Sequence, residues 1–236
     1  MTFSTVMERL RSFAPPEGWP GQIFLFPPDG MQEIYDCVLS RRFTHCLELG
    51  TGFGATAVVI AAALEEIGEG TIVTVDRFRH QPVNVGTLLG HVNLPDTLVE
   101  IVAEPLGYNW WLADRLIRKS ENRSFDLCFL DGAHEFEIDA LAFVLASHML
   151  KRGGMFVLDD LNFHLRQVPD WHKAFGDRSA RELDTAQVKL VWDLLVTKSQ
   201  AFHRFRITCD GRVGWAQKRT RFGELASYVG ATFPRF

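Results

Sequence analysis

The chain has 236 residues and a formal net charge of -4, with 47% hydrophobic and 23% charged residues. That length suits one or two domains, and the composition is ordinary for a globular protein. The acidic balance argues against a nucleic-acid partner, which asks for a clear basic excess. No apolar run approaches the roughly 18 residues that a bilayer span needs, so no membrane partner is expected. The opening MTFSTVMERL shows no charged region followed by an apolar core, hence no signal peptide. Cys37, Cys46, Cys128 and Cys209 form no C-x-x-C pair. The cysteines read as those of a reduced, cytoplasmic protein with neither a zinc site nor a disulfide framework.

Residues 14–30 are rich in Pro and Gly, which predicts an N-terminal arm over residues 1–30. Met31, Ile34, Tyr35, Val38 and Leu39 recur at helical spacing. A strand over 43–49 and a helix from Ala55 to about Glu66 follow. TIVTVD gives a second strand ending at Asp76, and 98–103 a third. A helix fits 107–119, and FDLCFLD is a fourth strand ending at Asp131. In the next helix Ile138, Leu141, Leu145 and His148 line one face. LKRGG breaks the chain before MFVLDD, the fifth strand. A helix is expected near 182–198, then two strands joined by an Asp-Gly turn. Alternating strands and helices predict a Rossmann-like, doubly wound α/β fold. Its sheet is seven-stranded and mostly parallel, with a C-terminal antiparallel hairpin. The domain spans 31–218, with a tail over 219–236. Arm and tail carry aromatics and Pro but no core of their own. They either close over the site or bury in a homodimer, the favoured reading because twofold symmetry is the commonest.

Residues 46–54 read CLELGTGFG: an apolar strand ending in an acid, then glycines at every second position, then a strong helix former. Such a turn lets a ligand touch the backbone at a helix start. The pattern resembles motif I of the class I S-adenosylmethionine-dependent methyltransferases. The resemblance implies that Glu48 sits near the methionine part and that Gly50, Thr51, Gly52 and Gly54 admit the cofactor. Asp76, at the end of the second strand, is placed to grip the ribose hydroxyls. Arg77 stands at the adenine border, and Glu104, after the third strand, near the adenine edge. Gly50, Gly52 and Ala55 with Asp76 can also be written as a nicotinamide fingerprint. The position of Glu48 and the lack of chain for a substrate domain weigh against it.

The fourth strand ends in DGAH (Asp131 to His134) and the fifth in DDLN (Asp159 to Asn162). Ligands in open α/β sheets bind beyond these strand ends. Three converging carboxylates repel unless a cation relieves them, and Mg²⁺ takes oxygen ligands. FLDGAHEFE followed by LKRGGMFVLDD resembles the small-molecule O-methyltransferases related to cephalosporin and macrolide-sugar tailoring enzymes, and more distantly the catechol O-methyltransferases. This resemblance covers roughly residues 40–218. It implies Mg²⁺ on Asp131, Asp159 and Asp160, with Asp131 also beside the cofactor, and His134 as general base. A methyl group would pass from S-adenosylmethionine to a hydroxyl of a small-molecule acceptor, with secondary metabolism one setting. Asp160 departs from the Asn of the catechol enzymes, and DGAH lacks their Lys. A metal-independent N- or O-methyltransferase and a non-catalytic binding protein of the same fold remain as alternatives. Trp110 and Trp111 are candidates for the wall of an aromatic pocket.

Overall fold

A computed structural model of the protein describes residues 1–19, 21–118 and 124–220. Two helices come first, α1 (Phe3–Arg11) and α2 (Pro28–Arg41), followed by β1 (His45–Leu49) and α3 (Ala55–Ile67). Next are β2 (Thr71–Asp76), α4 (Val85–Val92), β3 (Val99–Ala103), α5 (Tyr108–Ile117), β4 (Phe125–Leu130), α6 (Phe136–Met149) and β5 (Leu150–Leu158). Three short helices follow, α7 (Trp171–Phe175), α8 (Ala180–Asp184) and α9 (Gln187–Val191), before the hairpin of β6 (Phe202–Thr208) and β7 (Val213–Lys218). The sheet has seven strands in the order β3-β2-β1-β4-β5-β7-β6. β1 to β5 run parallel, and β7 and β6 close the sheet antiparallel. This is the expected doubly wound architecture. No helix among the described residues is long and apolar enough to cross a membrane.

Both faces of the sheet are covered, which is why the parallel strands read as unbroken apolar runs. Along β4, Leu127 and Phe129 join the core under α1 to α4, while Cys128 and Leu130 join the core under α5, α6 and α9. Every residue from Ala55 to Leu64 of α3 is buried. A helix apolar on all sides fits only a position between layers, here the sheet on one side and α1, α2 and α4 on the other. The free cysteines Cys46 and Cys128 are buried in strands.

Several elements differ from their sequence expectations. Helix α1 had no counterpart: its stripe Val6, Met7 and Leu10 is buried against α3 and α4. The arm adds its own apolar anchors, Ile23 and Phe26, to the same core. Pro and Gly set its irregular path, while Ile23 and Phe26 pack inward. In α6 the buried face is Asp139, Ala142, Phe143, Ala146 and Met149. The face marked by Ile138 and Leu141 is the outer one, with these residues 38% and 48% exposed. The acid Asp139 masks the true stripe, because a buried carboxylate breaks the apolar count. LKRGG is not a break but the start of β5, absorbed by a register irregularity between Phe125 and Leu127 of β4. The helix expected near 182–198 is divided into α8, α9 and a wider-wound turn at Trp192–Val196. Of the expected tail, residues from 221 onward lie outside the described part.

Phe26 stacks edge-on against Phe129 of β4, with centroids 4.9 Å apart. If the arm belongs to the core, Phe26→Ala should destabilise the protein by about 3–5 kcal/mol, as for other buried aromatics. Chemical denaturation would measure it. A loss under about 1 kcal/mol, the range of ordinary surface changes, would make the arm peripheral.

Candidate active site

A cavity of about 480 Å³ opens at the carboxyl ends of β1, β2, β4 and β5. One end of it is built from the β1–α3 turn. Gly50, Gly52 and Gly54 all have positive φ, at 94°, 51° and 96°. A Cβ on Gly50 would lie 1.7 Å from the carbonyl oxygen of Asp131, and one on Gly54 would lie 2.3 Å from Val85 Cγ2. At Gly52 only the flexible tip of Leu25, at 3.0 Å, stands in the way. Helix α3 starts at Gly54 with no side-chain cap, so its first N–H groups and the positive end of its dipole face the cavity.

Asp76 fixes this turn. Its Oδ2 accepts from the backbone N–H of Thr51 at 3.0 Å and of Gly52 at 3.1 Å, and its Oδ1 from Arg77 N–H at 2.7 Å. A carboxylate offers about four acceptor sites, so capacity remains for hydroxyls of a ligand. Glu48 lies beneath the turn and is 1% exposed. Thr74 donates to its Oε2, and the Thr51 hydroxyl lies 2.6 Å from that of Thr74. Burial holds the Glu48 carboxyl well above the usual range; the Thr74 bond opposes this and the nearby charges of Asp131 and Asp76 add to it.

The opposite end is acidic. Asp131 follows β4, held by its N–H to Leu49 O at 2.9 Å. His134 and Asp160 both adopt left-handed backbone, with φ of 58° and 60°. His134 Nε2 lies 2.8 Å from Asp160 Oδ2 and 3.4 Å from Asp131 Oδ1. Neither contact is aligned as a hydrogen bond. Burial alone would lower the pKa of His134, but the two carboxylates raise it to about 10. The DGAH loop is held from behind. Tyr108 OH donates to Asp139 Oδ1 at 2.6 Å, and Ala133 N–H donates to Tyr108 OH at 3.0 Å. Burial raises the Asp139 carboxyl to about 6 against the Tyr108 bond.

Asp159 is not part of this group. Its side chain is fully buried, and Arg212 takes both oxygens, Nε to Oδ1 at 2.7 Å and Nη2 to Oδ2 at 2.6 Å. Such a bidentate pair is among the strongest charge-assisted arrangements. Burial, with Asp131 behind it, pushes the Asp159 carboxyl up while Arg212 pulls it down. Both oxygens rest on a guanidinium that does not lose its proton in proteins, so the ionised form is the one this geometry holds.

The structure thus brings Glu48, Gly50, Thr51, Gly52, Gly54, Asp76, Arg77, Asp131, His134 and Asp160 to one cavity. Glu104 stands outside its lining, its Oε1 accepting from Leu106 N–H at 3.2 Å. The Trp pair does not wall it either: within α5, Trp111 is on the buried face and Trp110 is 62% exposed. Of the three acids expected to hold a metal, Asp159 has both oxygens on Arg212. Among the described residues the group able to hold a cation is Asp131, His134 and Asp160, with donor atoms within 4.8 Å of one another. Sequence reasoning missed Arg212, Leu25, Ile23 and Phe163, which also line the cavity.

The strand order, the glycine turn and the acid at the end of β2 are similar to those of the class I methyltransferase fold. Residues 47–161 match the model of a family described as a methyltransferase domain. No curated protein matches the sequence significantly. Among solved structures, an O-methyltransferase from Bacillus cereus in complex with SAH is 17% identical, with a TM-score of 0.58, covering 91% of this chain and 89% of that one. The O-methyltransferase TomG from Streptomyces achromogenes, involved in tomaymycin synthesis and in complex with SAM, is 17% identical, with a TM-score of 0.57 over 92% and 89% of the two chains. MycE, from the mycinamycin biosynthetic pathway, in complex with Mg, SAH and mycinamycin VI, is 15% identical with a TM-score of 0.55. There the match covers 92% of this chain but 54% of the longer one. The resemblance to the small-molecule O-methyltransferases therefore holds in fold, and residues 47–161 carry the match to a methyltransferase domain.

The state of Glu48 gives a stability test. A carboxyl whose folded pKa is raised contributes stability below its unfolded pKa, about 4.3, and loses it as pH rises toward the folded value. Glu48→Gln keeps the shape and removes the titration. Thermal melts of the free protein should show Glu48→Gln gaining on the wild type as pH increases above about 4.3. Parallel curves at all pH values would show that Glu48 ionises without cost.

Proposed function

We propose that the protein transfers the methyl group of S-adenosylmethionine to a hydroxyl of a small molecule. The observation that carries this reading is the single cavity joining the Gly50–Gly54 turn and Asp76 to the Asp131–His134–Asp160 group. When bound, S-adenosylmethionine supplies a sulfonium methyl group for in-line displacement. The residues present fit it: an open helix start, a turn without side chains, and a carboxylate with free acceptor capacity. Asp76 holds the ribose side, and Glu48 and the α3 N-terminus face the amino-acid side.

His134 is the proton acceptor in this reading. Between the two carboxylates its pKa is raised to about 10, so at neutral pH it is mostly protonated and only the neutral fraction takes the proton; turnover should therefore rise with pH toward that value. Asp131 and Asp160 then carry the positive charge that His134 gains. The rest of the task is alignment, worth roughly 7–11 kcal/mol in well-oriented systems. Ile23, Leu25 and Phe163 give the acceptor end an apolar lining, with the Phe163 ring 4.9 Å from that of His134. An acceptor with an aromatic or otherwise apolar body around its hydroxyl suits that lining. The magnesium assistance that the resemblance implies is not part of this reading, because Arg212 has taken Asp159.

Calorimetry with S-adenosylmethionine, its demethylated product and NAD tests the cofactor, and binding of NAD alone would defeat the proposal. Asp76→Ala removes up to two charge-assisted bonds of about 1.5–3 kcal/mol each, so affinity should fall at least about tenfold. An unchanged dissociation constant would leave Asp76 as only the clamp of the turn. Methyl transfer from labelled cofactor to a panel of phenols and alcohols separates an enzyme from a binding protein. With an acceptor in hand, His134→Ala should lower turnover by about 10²–10⁴-fold, the share of a general base, with cofactor affinity unchanged. Full turnover in that variant would remove His134 from the reaction.

A further inference from the structure

The acid pair after β5 is already neutralised from within the chain. The hairpin turn between β6 and β7 has Asp210 and Gly211 at its centre, with φ of 51° and 90°. It closes with Arg212 N–H to Cys209 O at 3.0 Å. Both central residues in left-handed backbone make the tight hairpin turn that Asp-Gly favours. This turn sets Arg212 directly across from the end of β5, where Leu161 N–H donates to Arg212 O at 2.9 Å. The side chain is fixed independently of that. Nε and Nη2 hold the two oxygens of Asp159, Nε lies 3.1 Å from Asp160 Oδ1, and Nη2 also donates to Leu25 O at 2.9 Å. One guanidinium therefore joins both acids of the pair to the arm that roofs the cavity.

A divalent cation at this place would need what Arg212 occupies. Mg²⁺ asks for about six oxygen ligands at 2.0–2.1 Å. Asp159 has no oxygen free of the guanidinium. Asp160 shares one oxygen with Arg212 and presents the other to His134. Moving Arg212 aside would strand a fully buried carboxylate. Leaving it in place would set a divalent ion a few ångströms from a like charge.

We propose that Arg212 is a built-in cation that stands in for a divalent metal at the Asp159–Asp160 pair, and that it acts as a positioning residue. It fixes Asp160 against His134 and holds Leu25 over the glycine turn, so methyl transfer needs no metal ion. This rests on the methyltransferase reading for its role in catalysis, but its ion-binding side is testable without any acceptor.

The experiment is a Mn²⁺ titration of the full chain, followed by the loss of the free-ion electron paramagnetic resonance signal. The wild type should leave the signal of micromolar Mn²⁺ unchanged. Arg212→Gln frees the acid pair and should bind Mn²⁺ about tenfold or more tightly than the wild type, since a like charge has been removed. Adding Asp160→Asn to that variant should abolish the gain. Arg212→Lys keeps a point charge without the two-pronged grip, so it should gain no Mn²⁺ binding. Once an acceptor is found, wild-type turnover should survive exhaustive chelation.

Stoichiometric Mn²⁺ binding by the wild type that disappears in Asp160→Asn would overturn the proposal. So would loss of turnover on chelation with recovery on adding Mg²⁺, or Mn²⁺ binding by Arg212→Lys equal to that of Arg212→Gln. A folded Arg212→Gln that gains no Mn²⁺ binding would equally show that Arg212 is not what excludes the ion. If Arg212→Gln does not fold, the wild-type and Arg212→Lys titrations decide. Failure to bind S-adenosylmethionine would sink the functional reading while leaving these titrations to stand or fall by themselves.

Discussion

No side chain fits between the ends of β1 and β4. A Cβ on Gly50 would lie 1.7 Å from the backbone oxygen of Asp131, far inside any real contact. The two strands are hydrogen-bonded neighbours in parallel register, Leu49 opposite Leu130. Their loops must therefore part company at once, one toward α3 and the other toward α6. Glycine in left-handed backbone is what allows the first loop to turn away without colliding with the second. The consequence is chemical: the backbone cradle after β1 and the acids after β4 and β5 share one cavity.

Charge then decides what each end of the cavity can do. At the glycine-turn end the protein presents backbone N–H groups and an uncapped helix start, and it anchors the turn with Asp76 rather than with a packed side chain. At the other end it gathers Asp131, Asp159 and Asp160 and answers them with Arg212 and His134. Asp159, the most buried of the three, receives the cation that cannot be deprotonated. Asp131 and Asp160, half-buried, face the group that can titrate. The permanent charge is matched to the site where an unpaired carboxylate would be most costly, and the adjustable one is left in the cavity.

Much of this was legible in the sequence because it is local. Apolar runs ending in Glu48, Asp76, Asp131 and Asp159 marked strand ends, and the glycines marked the turn, since both signals lie within a few residues of the group they position. The hairpin was legible for the same reason, through Asp210 and Gly211. What escaped depends on distance in the chain. Arg212 meets Asp159 only because the antiparallel β7 returns beside β5, so a lone Arg after a turn carried no mark of its partner. The signal was present in weaker form: a Arg placed directly after a hairpin turn, in a sheet whose fifth strand ends in two acids. Tyr108 and Asp139 also failed to announce themselves. Their shared hydrogen bond is a buried polar contact that local patterning treats as exposed, and the buried Asp139 turned the reading of α6 onto its solvent face.

The same reasoning explains why the acceptor end was the least legible part of the site. Its lining comes from three segments with no periodicity: the arm through Ile23 and Leu25, the stretch after β5 through Phe163, and the hairpin turn through Arg212. None is a strand or helix, so none carries a sequence signature. Arg212 is what makes them one surface, since it bonds to the arm at Leu25 and to both acids after β5. Loops placed on a rigid sheet are free to vary without disturbing the core. The glycine-turn end does not have that freedom, because its turn is constrained by Gly50 on one side and by Asp76 on the other. Variation in the three loop segments can therefore reshape one end of the cavity while the glycine turn at the other stays fixed, with the guanidinium joining the two.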